Sequence, residues 1–107
     1  MSYTEEIGAK PLTAGQVAVN IDASTSLILP THAQRTTKGG ILQVNISVEA
    51  QSARWRYTTA PTTTNGVLVT APGLITIRGE QAIKAFRIIG TVAGGSINYE
   101  FSVGDQA

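Results

Sequence analysis

Residues 42–49, Leu-Gln-Val-Asn-Ile-Ser-Val-Glu, alternate strictly between apolar and polar side chains. The same two-residue period returns near the end of the chain, in residues 96–103, Ser-Ile-Asn-Tyr-Glu-Phe-Ser-Val. This period places all apolar side chains on one face of an extended strand, so each stretch predicts a strand with one buried face and one solvated face. Half-buried strands of this kind are typical of antiparallel sheets and favour an all-β fold.

Shorter segments of strand character are distributed over the rest of the chain. They lie at residues 16–21, 26–29, 54–58, 67–69, 74–77 and 82–89, and turn-forming Gly, Pro, Asn and Thr residues separate them. In the first segment, the two-residue period predicts that Val17, Val19 and Ile21 share the buried face. The last segment is compatible with a helix, but its β-branched and aromatic residues between two glycines favour a strand. Strands at a spacing of roughly 8 to 12 residues are typical of an antiparallel sandwich or barrel.

The sequence therefore predicts an antiparallel β-sandwich of about eight strands with an extended N-terminal arm. Residues 1–14 show no clean period and contain Pro11, so we assign them to the arm and residues 15–107 to a single sandwich domain. Jelly-roll and immunoglobulin-like connections both fit, because the order of strands within a sheet leaves no trace in periodicity.

Composition restricts the function. Hydrophobic residues make up 42% of the chain and charged residues 14%, and the formal net charge is +1. A net charge this small does not hold a polyphosphate backbone, so we expect no nucleic-acid partner. No apolar run approaches the ~18 residues of a membrane span, and the N-terminus lacks the basic and apolar stretches of a signal peptide. We expect a soluble protein that is made in the cytoplasm and has no membrane partner.

Residues with catalytic chemistry are few and scattered. The chain has no cysteine and one histidine, His32, which lies in a polar segment. The carboxylates are dispersed over turns and polar strand faces, without the pairing that a general acid and base require. We therefore expect no enzymatic activity, no catalytic or metal-binding residues and no cofactor.

The most informative cluster is Arg54-Trp55-Arg56-Tyr57. In a strand, Trp55 and Tyr57 lie on one face, and the two arginines lie on the other. The simplest interpretation turns the aromatic rings toward the core and the arginines outward. Because Trp, Tyr and Arg often anchor protein interfaces, the arginine face is also a candidate contact surface for a partner subunit. Two further candidates for this face are Arg78 and Arg87.

A longer pattern of motifs surrounds this cluster. Arg54-Trp55-Arg56-Tyr57 is followed by Ala60-Pro61-Thr62, Asn65-Gly66-Val67-Leu68, Pro72-Gly73, Ala85-Phe86-Arg87-Ile88-Ile89 and Ser96-Ile97-Asn98-Tyr99. The order of these motifs resembles that in small structural proteins of tailed bacteriophages, most strongly over residues 41–103. The chain departs from the pattern in the loop after Tyr57 and in the last strand.

The resemblance implies a β-sandwich component of the virion. Such a protein would be a capsid decoration or cement protein on the outer capsid surface, bound to the lattice of the major capsid protein as a homotrimer. On this basis, Glu5, Glu6 and Lys10 of the arm, with Arg54 and Arg56 of the sandwich, are candidates for contacts with neighbouring subunits.

Two other functions also fit the sequence. The first is a tail, connector or baseplate accessory protein of the same kind of virion. The second is a small lectin-like module in which Trp55 or the threonine-rich segment 58–64 binds glycans on a cell surface.

Overall fold

Two four-stranded antiparallel sheets face each other in the computed structural model, which describes residues 10–29 and 41–104. The strands are β1 (Lys10–Asn20), β2 (Thr25–Ser26), β3 (Ile41–Glu49), β4 (Ala53–Tyr57), β5 (Val67–Val69), β6 (Gly73–Arg78), β7 (Phe86–Gly90) and β8 (Ser96–Gly104). A short helix, α1 (Glu80–Ala85), leads directly into β7. The predicted eight-stranded all-β sandwich is confirmed.

The order of the strands is that of a jelly roll. Sheet I has the order β1-β8-β3-β6, and sheet II has the order β2-β7-β4-β5. Four of the hydrogen-bonded pairs, β1 with β8, β2 with β7, β3 with β6 and β4 with β5, are nested about the middle of the chain. A long antiparallel hairpin that is rolled into two sheets produces this nesting. The strand order thus distinguishes between the two connections that periodicity left open.

The core lies between the two sheets and is built from the alternating positions of their strands. Sheet I contributes Leu42, Val44, Ile46 and Val48 from β3 and Ile97, Tyr99, Phe101 and Val103 from β8, all of them buried. Sheet II contributes Ala53, Phe86 and Ile88, which are also buried. The buried faces that the sequence predicts for β3 and β8 are therefore confirmed.

Tyr99 is the one residue of this set with a hydroxyl group. The backbone N–H of Ile28 donates a hydrogen bond of 3.0 Å to the Tyr99 hydroxyl oxygen. A side chain, rather than a strand partner, thus satisfies this backbone donor. This contact helps explain why the strand predicted at residues 26–29 is replaced by the shorter β2, which ends at Ser26.

Substitution of Tyr99 by phenylalanine tests this contact. We expect Tyr99→Phe to lower the free energy of unfolding by about 1 kcal/mol, because it leaves the part-buried N–H of Ile28 without its acceptor. Urea denaturation measures the change. The matched control is Tyr57→Phe, since the Tyr57 hydroxyl makes no hydrogen bond within residues 10–29 and 41–104. Equal effects of the two substitutions would contradict the role of the hydrogen bond.

The prediction for Val17 is wrong, because β1 contains a bulge. Gln16 pairs with Tyr99 and Val19 pairs with Ile97, so two residues, Val17 and Ala18, lie opposite Asn98. Ala18 has a φ of 53°. The extra residue breaks the two-residue period, and Val17 turns to the outer face of sheet I, where it is 80% exposed.

The strand predicted for residues 82–89 is wrong in its first half, which is helical. Within α1, Nζ of Lys84 lies 3.1 Å from Oε2 of Glu80, one helical turn away, and Ile83 is buried against the core. The carboxylate of Glu80 lies in the first turn, where the helix dipole favours negative charge. A single turn with one apolar anchor is too short to show a helical period in the sequence.

The N-terminal boundary also differs from the prediction. β1 begins at Lys10, whose backbone lies opposite Val103, so residues 10–14 belong to sheet I. The rest of the predicted arm, residues 1–9, lies outside the described residues.

Candidate functional site

The two arginines of the Arg54-Trp55-Arg56-Tyr57 cluster lie on the outer face of sheet II. β4 is a central strand of this sheet, with β7 on one side and β5 on the other. Arg54 lies opposite Leu68 of β5 and Ile89 of β7, and Arg56 lies opposite Arg87 of β7. We call Arg54, Arg56, Leu68, Arg87 and Ile89 the basic face.

The aromatic residues of the same strand point to the other side. The Trp55 ring is half-buried and packs against Phe86, with ring centroids 5.6 Å apart, and against Tyr57, at 5.2 Å. The predicted inward orientation is thus observed for Trp55. Tyr57, at the end of β4, is 44% exposed.

Arg54 holds the loop that connects β4 to β5. Its Nη1 donates a hydrogen bond of 3.0 Å to the carbonyl oxygen of Gly66, and its Nε donates one of 3.3 Å to that of Thr63. Gly66 has a φ of 129°, and a Cβ atom there would lie 3.1 Å from Cβ of Arg54, so glycine lets the loop approach this side chain. The guanidinium group of Arg54 therefore has a structural role.

Substitution of Arg54 by lysine separates its charge from this role. We expect Arg54→Lys to lower the free energy of unfolding by about 1 kcal/mol, because an ammonium group does not reproduce the two-pronged geometry of guanidinium. Amide hydrogen exchange should become faster at residues 62–66. The control is Arg56→Lys, for which we expect neither change. Unaltered exchange in Arg54→Lys would contradict the role of Arg54 in holding the loop between β4 and β5.

The other two arginines differ from Arg54. Nε of Arg87 donates a hydrogen bond of 3.2 Å to Oγ of Ser24. Arg56 is exposed, and its guanidinium group has no hydrogen-bond or ion-pair partner within the part of the chain that the structure describes. Arg56 therefore has its whole guanidinium group open to a ligand, and Arg87 has the part that does not bond to Ser24.

A second surface lies on the outer face of sheet I. It is a shallow groove of about 250 Å³ that crosses all four strands. Leu74 on β6 and Val17 on β1, 81% and 80% exposed, form its two apolar walls. Its floor, between these walls, includes Asn45, Ser47, Asn98 and Glu100.

Hydrogen bonds fix part of this floor. Oγ1 of Thr76 donates a hydrogen bond of 2.8 Å to Oδ1 of Asn45, and the backbone N–H of Ala18 donates one of 2.6 Å to Oδ1 of Asn98. The hydroxyl group of Ser47 donates a hydrogen bond to the carboxylate of Glu49.

The width of the groove follows from the strand order. Three strand spacings of about 4.8 Å separate β1 from β6, so the two walls are about 14 Å apart. We call this surface the groove face.

The predicted interface residues fall on different parts of the chain. Arg54 and Arg56 lie together on the basic face. Lys10 is the first residue of β1, at the edge of sheet I, so the structure does not place it beside the arginines. Glu5 and Glu6 lie outside the described residues.

The sequence interpretation missed the groove face. The signal for Leu74 is present, since Ile75 and Ile77 occupy the inward positions of β6 and leave Leu74 to share the outer face with Thr76. No such signal exists for Val17, because the bulge that turns it outward depends on pairing with β8.

No group of three or more His, Cys, Asp or Glu side chains is placed to hold a metal ion within residues 10–29 and 41–104. In the same ranges, no helix has the length and apolar character needed to cross a membrane. Comparisons with protein-family models, with curated proteins and with solved structures give no match.

Proposed function

We propose that this protein is a non-enzymatic structural component of the virion of a tailed bacteriophage. Its role would be that of a capsid decoration or cement protein, which binds the major capsid protein lattice from the outside as a homotrimer and stabilises it. The observation that carries the proposal is the presence of two outer faces with exposed apolar side chains, the groove face and the basic face, on opposite sides of one small sandwich.

Exposed apolar side chains lie on both surfaces. Val17 and Leu74 project from the groove face, and Leu68, which is 51% exposed, projects from the basic face. Transfer of a Val or Leu side chain from water into a contact stabilises it by about 1.5–3 kcal/mol. A subunit that joins two neighbours needs two separate contact surfaces, and the outer faces of a two-layer sandwich provide them.

The low charge of the chain supports the same role. With 14% charged residues and a net charge of +1, copies packed side by side repel each other weakly. Burial of exposed apolar area at subunit contacts then adds to the stability of the folded chain by mass action.

The choice of a bacteriophage virion comes from the motif order over residues 41–103, which resembles that of phage structural proteins. The jelly-roll strand order agrees with it, because this architecture occurs in viral capsid domains. It also occurs in lectins and enzymes of the cupin type, so the fold supports the proposal only by analogy.

Measurement of the copy number of this chain in purified phage particles tests the proposal. In a lysate of bacteria infected with a phage that encodes this chain, we expect it to co-purify with the shell at a copy number comparable with that of the major capsid protein. Immunogold electron microscopy should label the outer shell. A few copies confined to the tail would favour the tail or connector function instead, and absence from the particles would overturn the proposal.

A further inference from the structure

The basic face contains a pair of like charges on neighbouring strands, with no carboxylate of the described residues on the strands of its sheet. Arg56 of β4 and Arg87 of β7 are direct cross-strand neighbours. Both side chains project from the outer face of sheet II, because Trp55, Phe86 and Ile88 occupy the alternate, inward positions. Like charges directly opposite each other on antiparallel strands are destabilising.

No carboxylate of the described residues lies on this face. The four described acidic residues are Asp22 in the turn after β1, Glu49 at the end of β3, Glu80 in α1 and Glu100 on β8. None of them belongs to a strand of sheet II. Among the described residues, no carboxylate on these strands offsets the repulsion between Arg56 and Arg87, so a ligand that supplies negative charge would reduce it.

The surroundings of the pair indicate the kind of ligand. Leu68 and Ile89 lie beside Arg54 in the next cross-strand row, so apolar and basic side chains alternate over a small area. A polyphosphate backbone offers no apolar surface, and it is held by larger arrays of basic residues than three arginines. A protein surface presents carboxylates and apolar side chains together, and guanidinium groups bind carboxylates with paired hydrogen bonds.

We propose that the basic face docks an acidic segment of a partner protein, with carboxylates on Arg56 and Arg87 and an apolar side chain against Leu68 and Ile89. This inference deepens the proposed function and rests on it only for the identity of the partner, which there is the capsid lattice. The chemistry of the partner follows from the face itself.

Binding of synthetic probes to the purified protein tests the docking chemistry without any virus particle. The first probe is a peptide with glutamates around a short leucine-containing centre, and the second has glutamine in place of each glutamate. The third probe is a DNA duplex. At low ionic strength we expect the glutamate peptide to bind more tightly than both others, because only it supplies carboxylates next to apolar side chains.

Arg56→Gln is the diagnostic variant, and Arg78→Gln is its matched control. Both remove one positive charge, but Arg78 lies on β6 of sheet I. We expect Arg56→Gln to weaken binding of the glutamate peptide roughly tenfold, the effect of losing one hydrogen-bonded charge contact. Arg78→Gln should leave this affinity unchanged.

Urea denaturation supplies a second readout with the opposite sign. Arg56→Gln should raise the denaturation midpoint of the free protein, because it removes the repulsion with Arg87, whereas Arg78→Gln should not raise it. A residue that lowers stability and increases binding has the signature of an interaction site.

The outcomes that overturn the inference are distinct from those that overturn the proposed function. DNA binding as tight as that of the glutamate peptide, equal losses in both variants, no peptide binding, or a lower midpoint in Arg56→Gln would each contradict the acidic docking site. Absence of the protein from purified particles would contradict the virion function and leave the peptide results standing.

Discussion

Replacement of Phe101 by alanine should lower the free energy of unfolding by about 3–5 kcal/mol. Phe101 is fully buried in β8, a central strand of sheet I, where it lies opposite Val44 and packs edge-on against Tyr99 at a ring-centroid distance of 5.7 Å. Alanine removes most of the ring's contacts and leaves a cavity that neighbouring strands cannot close without breaking their pairing. Because small domains have a total stability of roughly 5–15 kcal/mol, this is a large fraction of the whole.

Equilibrium urea denaturation followed by tryptophan fluorescence measures the effect. Phe101→Leu provides a milder variant with a smaller expected loss, in case the alanine variant is unfolded. The matched control is Leu74→Ala, which truncates a side chain that is 81% exposed and should change stability by less than about 0.5 kcal/mol. A loss below about 1 kcal/mol in Phe101→Ala would show that β8 does not form the centre of the core.

The second large effect concerns assembly rather than folding. If the proposed virion function holds, the double variant Val17→Gln and Leu74→Gln should be strongly depleted from virus particles, because it removes both apolar walls of the groove face. Burial of the two side chains in a subunit contact would contribute about 3 kcal/mol or more. Its loss corresponds to a more than hundredfold weaker contact, since about 1.4 kcal/mol is tenfold in affinity.

The control variant for this experiment is Val92→Gln. Val92 is 55% exposed but lies in the turn between β7 and β8, outside the groove face. Particle content is measured by quantitative mass spectrometry relative to the major capsid protein, and urea denaturation confirms that each variant is folded. Normal incorporation of the double variant would exclude the groove face as a lattice contact. Equal depletion of Val92→Gln would show that the effect is not specific to this face.

Prediction succeeds where a strand keeps an unbroken register with a neighbouring strand. The alternation in residues 42–49 and 96–103 predicts the buried faces of β3 and β8 correctly, since unbroken register keeps each side chain on its face. The alternation also places Arg54 and Arg56 opposite Trp55, as observed. Periodicity alone is sufficient in such strands because the pleat determines the direction of every side chain.

Prediction fails where a local departure from the period depends on distant residues. The bulge in β1 turns Val17 outward because Asn98, far away in the chain, lies opposite both Val17 and Ala18. The sequence pattern favours a strand where α1 forms. The helix depends on its position over the core, which buries Ile83 just before the chain enters β7. Both departures are set by tertiary contacts.

The amino-acid sequence by itself determined the all-β class, the core faces of the long strands and the outward position of Arg54 and Arg56, because these depend on the two-residue repeat of an extended chain. Only the tertiary structure decided the jelly-roll order, the groove between Val17 and Leu74, and the direct opposition of Arg56 and Arg87. These features join residues from strands that are far apart in the chain, and the register between strands arises from the packing of the whole core.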